Sequence, residues 1–283
     1  MTTPLDLDGR SFLVTGANTG IGRVTALELA RRGGVVTLAC RSEERTRPVL
    51  EEIAAAGGKA SFLPLDLADL ASVARAAKTF LDGGAPLDVL INNAGLVGQR
   101  GLTKDGFEMT FGTNHLGPFL FTVLLLPRIR SGSAPRIVNV ASTAHYSTKA
   151  IDWDALRQPT RTVSAFSEYA MSKLCNVLFT KELARGKAGP GVHSYSLHPG
   201  AVASDIWRGL PWPLAPIFKL FMLSNEEGAK TSLHCATSPD VAGDDGLYYD
   251  KCRPKTPSRL AQDEALAKKL WDVSEEMVAP FLK

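Results

Sequence analysis

One stretch decides the fold of this chain: Thr15-Gly16-Ala17-Asn18-Thr19-Gly20-Ile21-Gly22. It follows the apolar run Ser11 to Val14 and precedes Arg23 to Arg32, which has the Ala/Leu spacing of an amphipathic helix. The glycines therefore lie in a strand-to-helix turn, where backbone N–H groups and the helix dipole favour a phosphate. An ordinary glycine-rich turn is the alternative. The flanking strand and helix favour a dinucleotide-binding loop.

A second motif places Tyr169 and Lys173 four residues apart in a helical pattern. Residues at i and i+4 share a helix face, so the lysine ammonium is expected near the phenol. A cation at about 4 Å in an effective dielectric of about 20 is worth roughly 4 kcal/mol, or about three pKa units. We therefore expect Lys173 to lower the pKa of Tyr169 toward neutrality, where general acid–base catalysis is most efficient. A solvated surface pair is the alternative.

Ordered motifs along nearly the whole chain resemble those of the short-chain dehydrogenase/reductase family. They are TGxxxGxG at 15–22, NNAG at 92–95, NHLG at 114–117, a strand at 136–140 followed by Ser142, the Tyr169–Lys173 pair and Pro199-Gly200. The words TGANTGIG, LACR, DGFEM and NHLGPF are similar to the retinol dehydrogenase and carbonyl reductase branch. The resemblance implies an oxidoreductase that interconverts a carbonyl and an alcohol with a nicotinamide cofactor.

The resemblance also implies roles for individual residues. Tyr169 would exchange a proton with the substrate oxygen, and Lys173 would also bind the nicotinamide ribose. Ser142 would orient the substrate, and Asn114 would hold a water of a proton relay; a turn cap and a local hydrogen bond are the alternatives. The implied cofactor-binding residues are Gly16, Asn18, Thr19, Gly20, Ile21, Gly22, Arg41, Asp66, Leu67, Asn93, Ala94, Gly95, Tyr169, Lys173, Pro199, Gly200, Val202 and Ser204.

The end of the second predicted strand, Val35 to Ala39, indicates which nicotinamide cofactor is used. In this fold an acidic side chain binds the ribose 2′-hydroxyl of NAD, whereas an arginine suits the 2′-phosphate of NADP. Cys40 stands in the place of the acid, and Arg41 follows it. An arginine binds phosphate bidentately, and an acid would repel it. We therefore predict NADP(H) and expect NAD(H) to be used less well.

Substrate preference is expected to come from two stretches outside these motifs. One is the long interval between Ser142 and Tyr169, and the other is the apolar segment Ile206 to Leu223. We interpret the second as a lid over a lipophilic, retinal-like aldehyde or ketone, because small-molecule sites are mostly apolar. Core packing and a peripheral membrane contact are its alternatives. The predicted substrate residues are Ser142, His145, Trp207, Trp212 and Phe218.

Alternating strands and helices predict an α/β fold, a Rossmann-type doubly wound parallel sheet with helices on both faces. Predicted strands are 11–15, 35–39, 60–65, 88–91, 136–140, 192–197 and 246–249. Predicted helices are 20–32, 43–56, 69–82, 104–129, 168–186, 225–237 and 259–278. We read one domain, 1–283, with a Gly-rich cofactor half at about 10–140, a catalytic and substrate half at about 141–250 and a C-terminal helix at about 258–279.

Composition limits the remaining function classes. The chain has 283 residues, 45% of them hydrophobic, and a net charge of +3, which gives no argument for nucleic acid. Its four scattered cysteines and five histidines lack metal-ligand spacing, so we expect reduced thiols, no metal and a cytoplasmic protein. We find no signal peptide and no run long enough to span a membrane, and expect no transmembrane anchor. Apolar helices at 104–129 and 168–186 are compatible with a homodimer.

Two other functions stay open at this point. A pathway-specific ketoreductase for a polycyclic or polyketide intermediate would use the same residues on another substrate. A catalytically idle NADP-binding regulatory protein would keep the fold, although a binding role does not require Asn114, Ser142, Tyr169 and Lys173 together. Sugar-nucleotide epimerases share the YxxxK pattern but have TGxxGxxG spacing and a larger substrate domain.

Overall fold

The structure is a computed structural model that describes residues 5–200 and 224–282. Its strands are β1 (Ser11–Thr15), β2 (Val35–Cys40), β3 (Lys59–Pro64), β4 (Val89–Asn92), β5 (Arg136–Val140), β6 (His193–His198), β7 (Leu247–Asp250) and β8 (Arg253–Pro254). Within the described residues they form one sheet in the order β3-β2-β1-β4-β5-β6-β7-β8. Strands β1 to β7 run parallel, and β8 pairs antiparallel with β7. The strand order reverses between β1 and β4, which confirms the predicted Rossmann-type doubly wound fold.

Helices cover both faces of this sheet. They are α1 (Gly20–Arg31), α2 (Glu43–Ala55), α3 (Leu70–Asp82), α4 (Met109–Ile129), α5 (Phe166–Glu182), α6 (Asn225–Thr237) and α7 (Glu264–Val278). Helices α3, α4, α5 and α7 share one hydrophobic core, and α1, α2 and α6 share the other. Strand side chains alternate between the two, so Leu90 of β4 packs in the first and Ile91 in the second. Burial on both faces explains why these strands read as nearly continuous apolar runs.

Two helices begin five residues later than the pattern predicts: α7 at Glu264 instead of 259, and α4 at Met109 instead of 104. For α4 the reason lies in the residues just before it. A tight turn precedes the helix, in which the Thr103 N–H donates to Phe107 O at 2.8 Å. The Glu108 carboxylate then caps the helix by accepting the N–H groups of its first turn, that of Phe111 at 2.7 Å. Strand β8 escaped prediction because it has two residues, one of them proline.

Helix α4 also corrects the prediction that no segment has the length and composition of a membrane span. It comprises 21 residues and is apolar enough to cross a bilayer by those two criteria alone. Most of it is buried within the protein, and Leu120, Phe121 and Leu125 are completely inaccessible. Packing between the sheet, α3 and α5 therefore accounts for its apolar composition.

A buried polar network crosses the core shared by α4 and α5. The Asn92 amide of β4 donates to Thr122 Oγ1 of α4 at 3.0 Å and to Asn139 Oδ1 of β5 at 2.9 Å. The Asn139 amide donates in turn to Thr180 Oγ1 of α5 at 2.9 Å. Buried polar groups are costly without partners, so this network specifies how both helices sit on the sheet.

A fully buried histidine joins α4 to the C-terminal helix. His115 Nε2 lies 3.0 Å from Ser274 Oγ of α7, and its ring packs among Phe111, Phe119 and Phe179. Burial disfavours the charged imidazolium and lowers the pKa of His115 to about 3. The folded protein therefore keeps this side chain neutral at pH values where the unfolded chain binds a proton.

We predict that His115 makes the protein less stable in mild acid. Below about pH 6.5 His115 binds a proton in the unfolded chain but stays neutral in the folded protein. The free energy of unfolding therefore falls as the pH falls from 6.5 toward 3. This contribution is about 1 kcal/mol between pH 7 and pH 5.5. Urea unfolding of wild type and of His115→Phe and His115→Gln at both pH values measures it. The variants should lose about 1 kcal/mol less on acidification; the same loss in all three proteins would contradict the prediction.

Candidate active site

A cavity of about 1080 Å³ opens at the carboxyl ends of the parallel strands, where the strand order reverses. This volume is slightly above the ~300–1,000 Å³ typical of small-molecule sites. Most predicted site residues in the described part of the chain line it: Gly16, Asn18, Thr19, Gly20, Ile21, Gly22, Arg41, Asp66, Leu67, Asn93, Ala94, Gly95, Ser142, Tyr169, Lys173, Pro199 and Gly200. Asn114 and His145 do not line it. Val202, Ser204, Trp207, Trp212 and Phe218 lie outside the described residues.

The glycine-rich turn has the backbone geometry that a phosphate requires. Gly16 and Gly20 have φ values of +67° and +57°, which side chains rarely adopt. A Cβ on Gly22 would lie 2.4 Å from Gly16 O and from Asn93 Nδ2, so this position excludes every larger residue. Thr19 precedes α1 without a side-chain hydrogen bond to the first turn, which leaves those N–H groups to the cavity. The turn therefore fits a dinucleotide pyrophosphate.

Thr15 connects this turn to the one that follows β4. Its Oγ1 accepts the backbone N–H groups of Asn93 and Ala94, both at 3.0 Å. The Asn93 amide donates back to Thr15 O at 2.9 Å. The two turns on either side of the strand-order reversal are thus held together as one floor of the cavity.

The part of the cavity beside the C-terminal end of β2 is basic. Cys40 ends the strand, and exposed Arg41 and Arg45 both line the cavity. Ser42 caps α2 by accepting the Arg45 N–H at 3.3 Å, which fixes the orientation of that first turn. The sequence prediction named Arg41 and missed Arg45. Arg41 lies before the N-cap Ser42 and outside α2, so helical spacing does not relate the two residues.

Tyr169 and Lys173 lie together at the catalytic end, one turn apart on α5. Both are buried, and Lys173 is only 2% exposed. The ammonium donates to Val140 O, at the end of β5, at 2.8 Å and lies 5.7 Å from the centroid of the Tyr169 ring. The Asn176 amide donates to the same carbonyl at 3.3 Å. The lysine is thereby anchored to the sheet rather than to the phenol.

This arrangement contradicts the expected direction of the Tyr169 pKa. Burial raises the pKa of Tyr169 above its usual value, and a side-chain hydrogen bond with Ser142 opposes the rise. Burial also lowers the pKa of Lys173 to about 8, so the lysine is still mostly protonated at neutral pH. The expectation of a lowered phenol pKa was wrong because sequence spacing shows which residues are neighbours but not how deeply they are buried.

Ser142 begins a short 3-10 turn, Thr143–Ser147, just after β5. Its Oγ accepts the Ala144 N–H at 3.1 Å, so Ser142 caps the turn, which was the alternative to a catalytic role. The Ser142 side chain also lies close enough to Tyr169 to oppose the rise of the phenol pKa. An oxygen that accepts one backbone N–H can still donate its own hydrogen, so capping and substrate orientation are compatible.

Asn114 lies in a π-helical segment of α4, Gly112–Leu116, behind the cavity wall. Its side chain accepts the Leu96 N–H at 2.8 Å and donates to Leu96 O and to Ser172 Oγ, each at 3.0 Å. It thus joins the turn after β4 to α5. Single π turns often mark functional sites in helices. Lys173 Nζ and Asn114 Oδ1 both border Gly95, at 3.3 and 3.4 Å from where a Cβ would be, and only glycine leaves that space open.

His145 is not a substrate-contacting residue in this structure, which corrects the prediction. It is completely buried, and both ring nitrogens have partners in the protein backbone. Its neighbour Tyr146 lines the cavity instead, together with Phe166 from the start of α5. The sequence placed all three in one interval but could not show which side chain faces the cavity.

Comparisons with known proteins agree with this geometry. A family model described as short chain dehydrogenase matches residues 10–153. The chain belongs to the short-chain dehydrogenase family. It is 42% identical to retinol dehydrogenase 12 of Mus musculus over 98% of this chain and 89% of that protein. It is 43% identical to retinol dehydrogenase 11 of Homo sapiens over 98% of this chain and 88% of that one. The protein is thus an oxidoreductase of the kind that acts on CH–OH groups, related to retinol dehydrogenases.

Solved structures share the fold over most of the chain. An uncharacterized protein from Mycobacterium paratuberculosis has a TM-score of 0.77 and 33% identity, covering 99% of this chain and 98% of its own. An NAD(P)-dependent gluconate 5-dehydrogenase from Beutenbergia cavernae, solved with bound NADP, has a TM-score of 0.69 and 27% identity, covering 88% and 97%. The family therefore implies a nicotinamide cofactor, and the choice between NAD and NADP rests on residues of this chain.

Proposed function

We propose that this protein is an NADP(H)-dependent oxidoreductase that interconverts a lipophilic aldehyde or ketone and its alcohol, with Tyr169 as proton donor and acceptor. One observation carries the proposal: a single cavity joins two arginines at the tip of β2 to Tyr169, Ser142 and Lys173 at the ends of β5 and α5. The first group suits a phosphate and the second suits a carbonyl oxygen that must gain or lose a proton.

A bound nicotinamide would supply or accept the hydride. In the direction of reduction, Tyr169 gives its proton to the substrate oxygen, and burial keeps the phenol protonated until then. The Lys173 ammonium, charged at neutral pH, stabilises the phenolate that this step leaves. Ser142 donates a hydrogen bond to the same oxygen and orients it toward Tyr169. In the direction of oxidation the same groups act in reverse.

Arg41 and Arg45 support NADP(H) over NAD(H). Both residues line the cavity, and β2 ends in Cys40 instead of an acidic residue that would repel a 2′-phosphate. The nearby Glu43 and Glu44 belong to the first turn of α2, where they complement the helix dipole. Two guanidinium groups can bind one phosphate with several charge-assisted hydrogen bonds.

An apolar wall supports a lipophilic substrate. The apolar and aromatic side chains among the described lining residues include Leu96, Val97, Met109, Tyr146 and Phe166. Phe166 is 42% exposed at the mouth, and its ring lies 6.3 Å from that of Tyr169. An apolar chain bound there would cover surface that otherwise faces water. The retinol dehydrogenases to which this chain is similar are named for an alcohol of that kind.

We predict that Arg41→Ala and Arg45→Ala select against NADPH. Each removes a charge-assisted hydrogen bond to the 2′-phosphate worth about 1.5–3 kcal/mol, so the KM for NADPH should rise about 10-fold or more. The KM for NADH should change less than about 2-fold, because NADH lacks that phosphate. Arg47→Ala is the matched control, since Arg47 is exposed on the same helix but does not line the cavity. Equal changes for both cofactors would contradict the proposal.

We predict that Phe166→Ala weakens binding of large apolar carbonyls selectively. Loss of the ring removes about 1.5 kcal/mol or more of apolar contact, so the KM for retinal should rise about 10-fold. The KM for a small aldehyde such as propanal should be nearly unchanged. Val163→Ala serves as control, since Val163 is 87% exposed and outside the cavity lining. Equal effects on small and large substrates would remove the lipophilic assignment while leaving the reaction class intact.

A further inference from the structure

We propose that His145 is a positioning residue that fixes the turn carrying Ser142 and couples it to the segment after β8. The inference rests on the proposed function, in which Ser142 orients the substrate oxygen. It assigns the histidine a role behind the site rather than in it. Through this ring, residues 256–258 help to set the geometry of the catalytic end.

The two ring nitrogens of His145 have different partners, and these determine its tautomer. Nε2 lies 3.1 Å from the backbone nitrogen of Ser258, and Nδ1 lies 2.6 Å from the carbonyl oxygen of Ser142. A backbone N–H can only donate, so Nε2 is the acceptor and carries no hydrogen. Nδ1 must therefore be protonated and donate to Ser142 O. The ring is a neutral bridge between two backbone segments.

This bridge acts on the residue that bears the catalytic hydroxyl. Ser142 O also accepts the backbone N–H of His145 at 3.2 Å, and Ser142 Oγ accepts that of Ala144 at 3.1 Å. The imidazole supplies the shortest of these three bonds, and through Nε2 it also links the turn to Ser258. Without it, Ser142 loses its link to Ser258, although the Thr143 N–H still donates to His198 Nδ1 at 3.4 Å and Tyr146 still reaches Thr256. A shift of about 1 Å in an orienting group can cost about 100-fold in rate.

The surroundings keep the ring in place. Tyr146 packs on it with the ring centroids 4.1 Å apart, and Tyr248 of β7 meets it edge-on at 4.9 Å. The Tyr146 hydroxyl donates to Thr256 O at 2.5 Å. Residues 256–258 therefore bond to both Tyr146 and His145. Because Tyr146 lines the cavity, the segment after β8 supports the cavity wall as well as Ser142.

Kinetics of matched variants test the proposal. His145→Leu removes both bonds and should lower kcat about 10- to 100-fold, while the KM for NADPH stays within about 2-fold. His145→Gln should recover part of this loss, because its amide offers a donor and an acceptor. His193→Leu is the control: its Nδ1 also lies 3.0 Å from a backbone carbonyl, that of Asp244, but at the start of β6 away from the cavity. Wild-type kcat in His145→Leu, or equal losses in His145→Gln and His145→Leu, would overturn the proposal.

A second pair isolates the Ser258 N–H. Ser258→Pro removes this donor, whereas Ser258→Ala keeps it and removes only the side-chain oxygen that accepts the Ala261 N–H at 3.3 Å. We expect the proline variant to lose kcat and the alanine variant to resemble wild type. Thermal unfolding and NADPH binding of each variant show whether it is folded. Equal kcat in the two variants would contradict the coupling.

The tautomer gives a readout that does not depend on activity. Nitrogen-15 NMR of histidine-labelled protein should show His145 as the Nδ1–H tautomer at neutral pH, and an Nε2–H tautomer or a charged ring would overturn the proposal. If wild type turns over no carbonyl, the proposed function fails by itself. The tautomer then decides alone whether His145 makes the bridge.

Discussion

The catalytic end depends on one hydrogen bond, from the Lys173 ammonium to the carbonyl oxygen of Val140. A charge that is 2% exposed must have a partner, and this backbone oxygen is the one that the end of β5 provides. The Asn176 amide shares the same oxygen, so two side chains of α5 are fixed to one atom of the sheet. This sets the register of α5 against β5 and places Tyr169 beside Ser142. Burial lowers the pKa of Lys173 to about 8, and the same burial raises the pKa of Tyr169 and keeps the phenol protonated.

The cofactor end and the catalytic end are built by the same topology. Parallel strands bring their carboxyl ends to one edge, and the reversal between β1 and β4 opens the crevice there. Thr15 and Asn93 connect the turns on the two sides of that crevice. Asn114 connects Leu96, in the turn after β4, to α5. Residues far apart in sequence are thus joined by hydrogen bonds to the backbone, as at Thr15 and Asn93, and by one between side chains, from Asn114 to Ser172.

The sequence predicted the fold and most of the cavity lining because both depend on local patterns. Local patterns predict the same structure whatever the rest of the chain does. They include glycines in a strand-to-helix turn and apolar residues with a period of two or 3.6. The errors concern burial and long-range contact. The pKa of Tyr169 is raised and not lowered, because the spacing of residues does not show how deeply a side chain is buried. The spacing also could not show that His145 bonds to Ser258, 113 residues away. Neither Arg45 nor Tyr146 could be placed at the cavity from the sequence, because the direction of each side chain depends on the surrounding fold.

The most direct test follows the hydride in one turnover and asks whether its transfer requires the Tyr169 hydroxyl. NADPH carrying deuterium at the transferable C4 position is mixed with excess enzyme and retinal, and the product is analysed by mass spectrometry. We expect retinol with one deuterium from wild type and no labelled retinol from Tyr169→Phe, although the variant still binds NADPH. Equal labelling by the two proteins would contradict the assignment of Tyr169 as the proton donor. Unlabelled, unreacted retinal from wild type with NADPH bound would contradict the proposed reaction on this substrate.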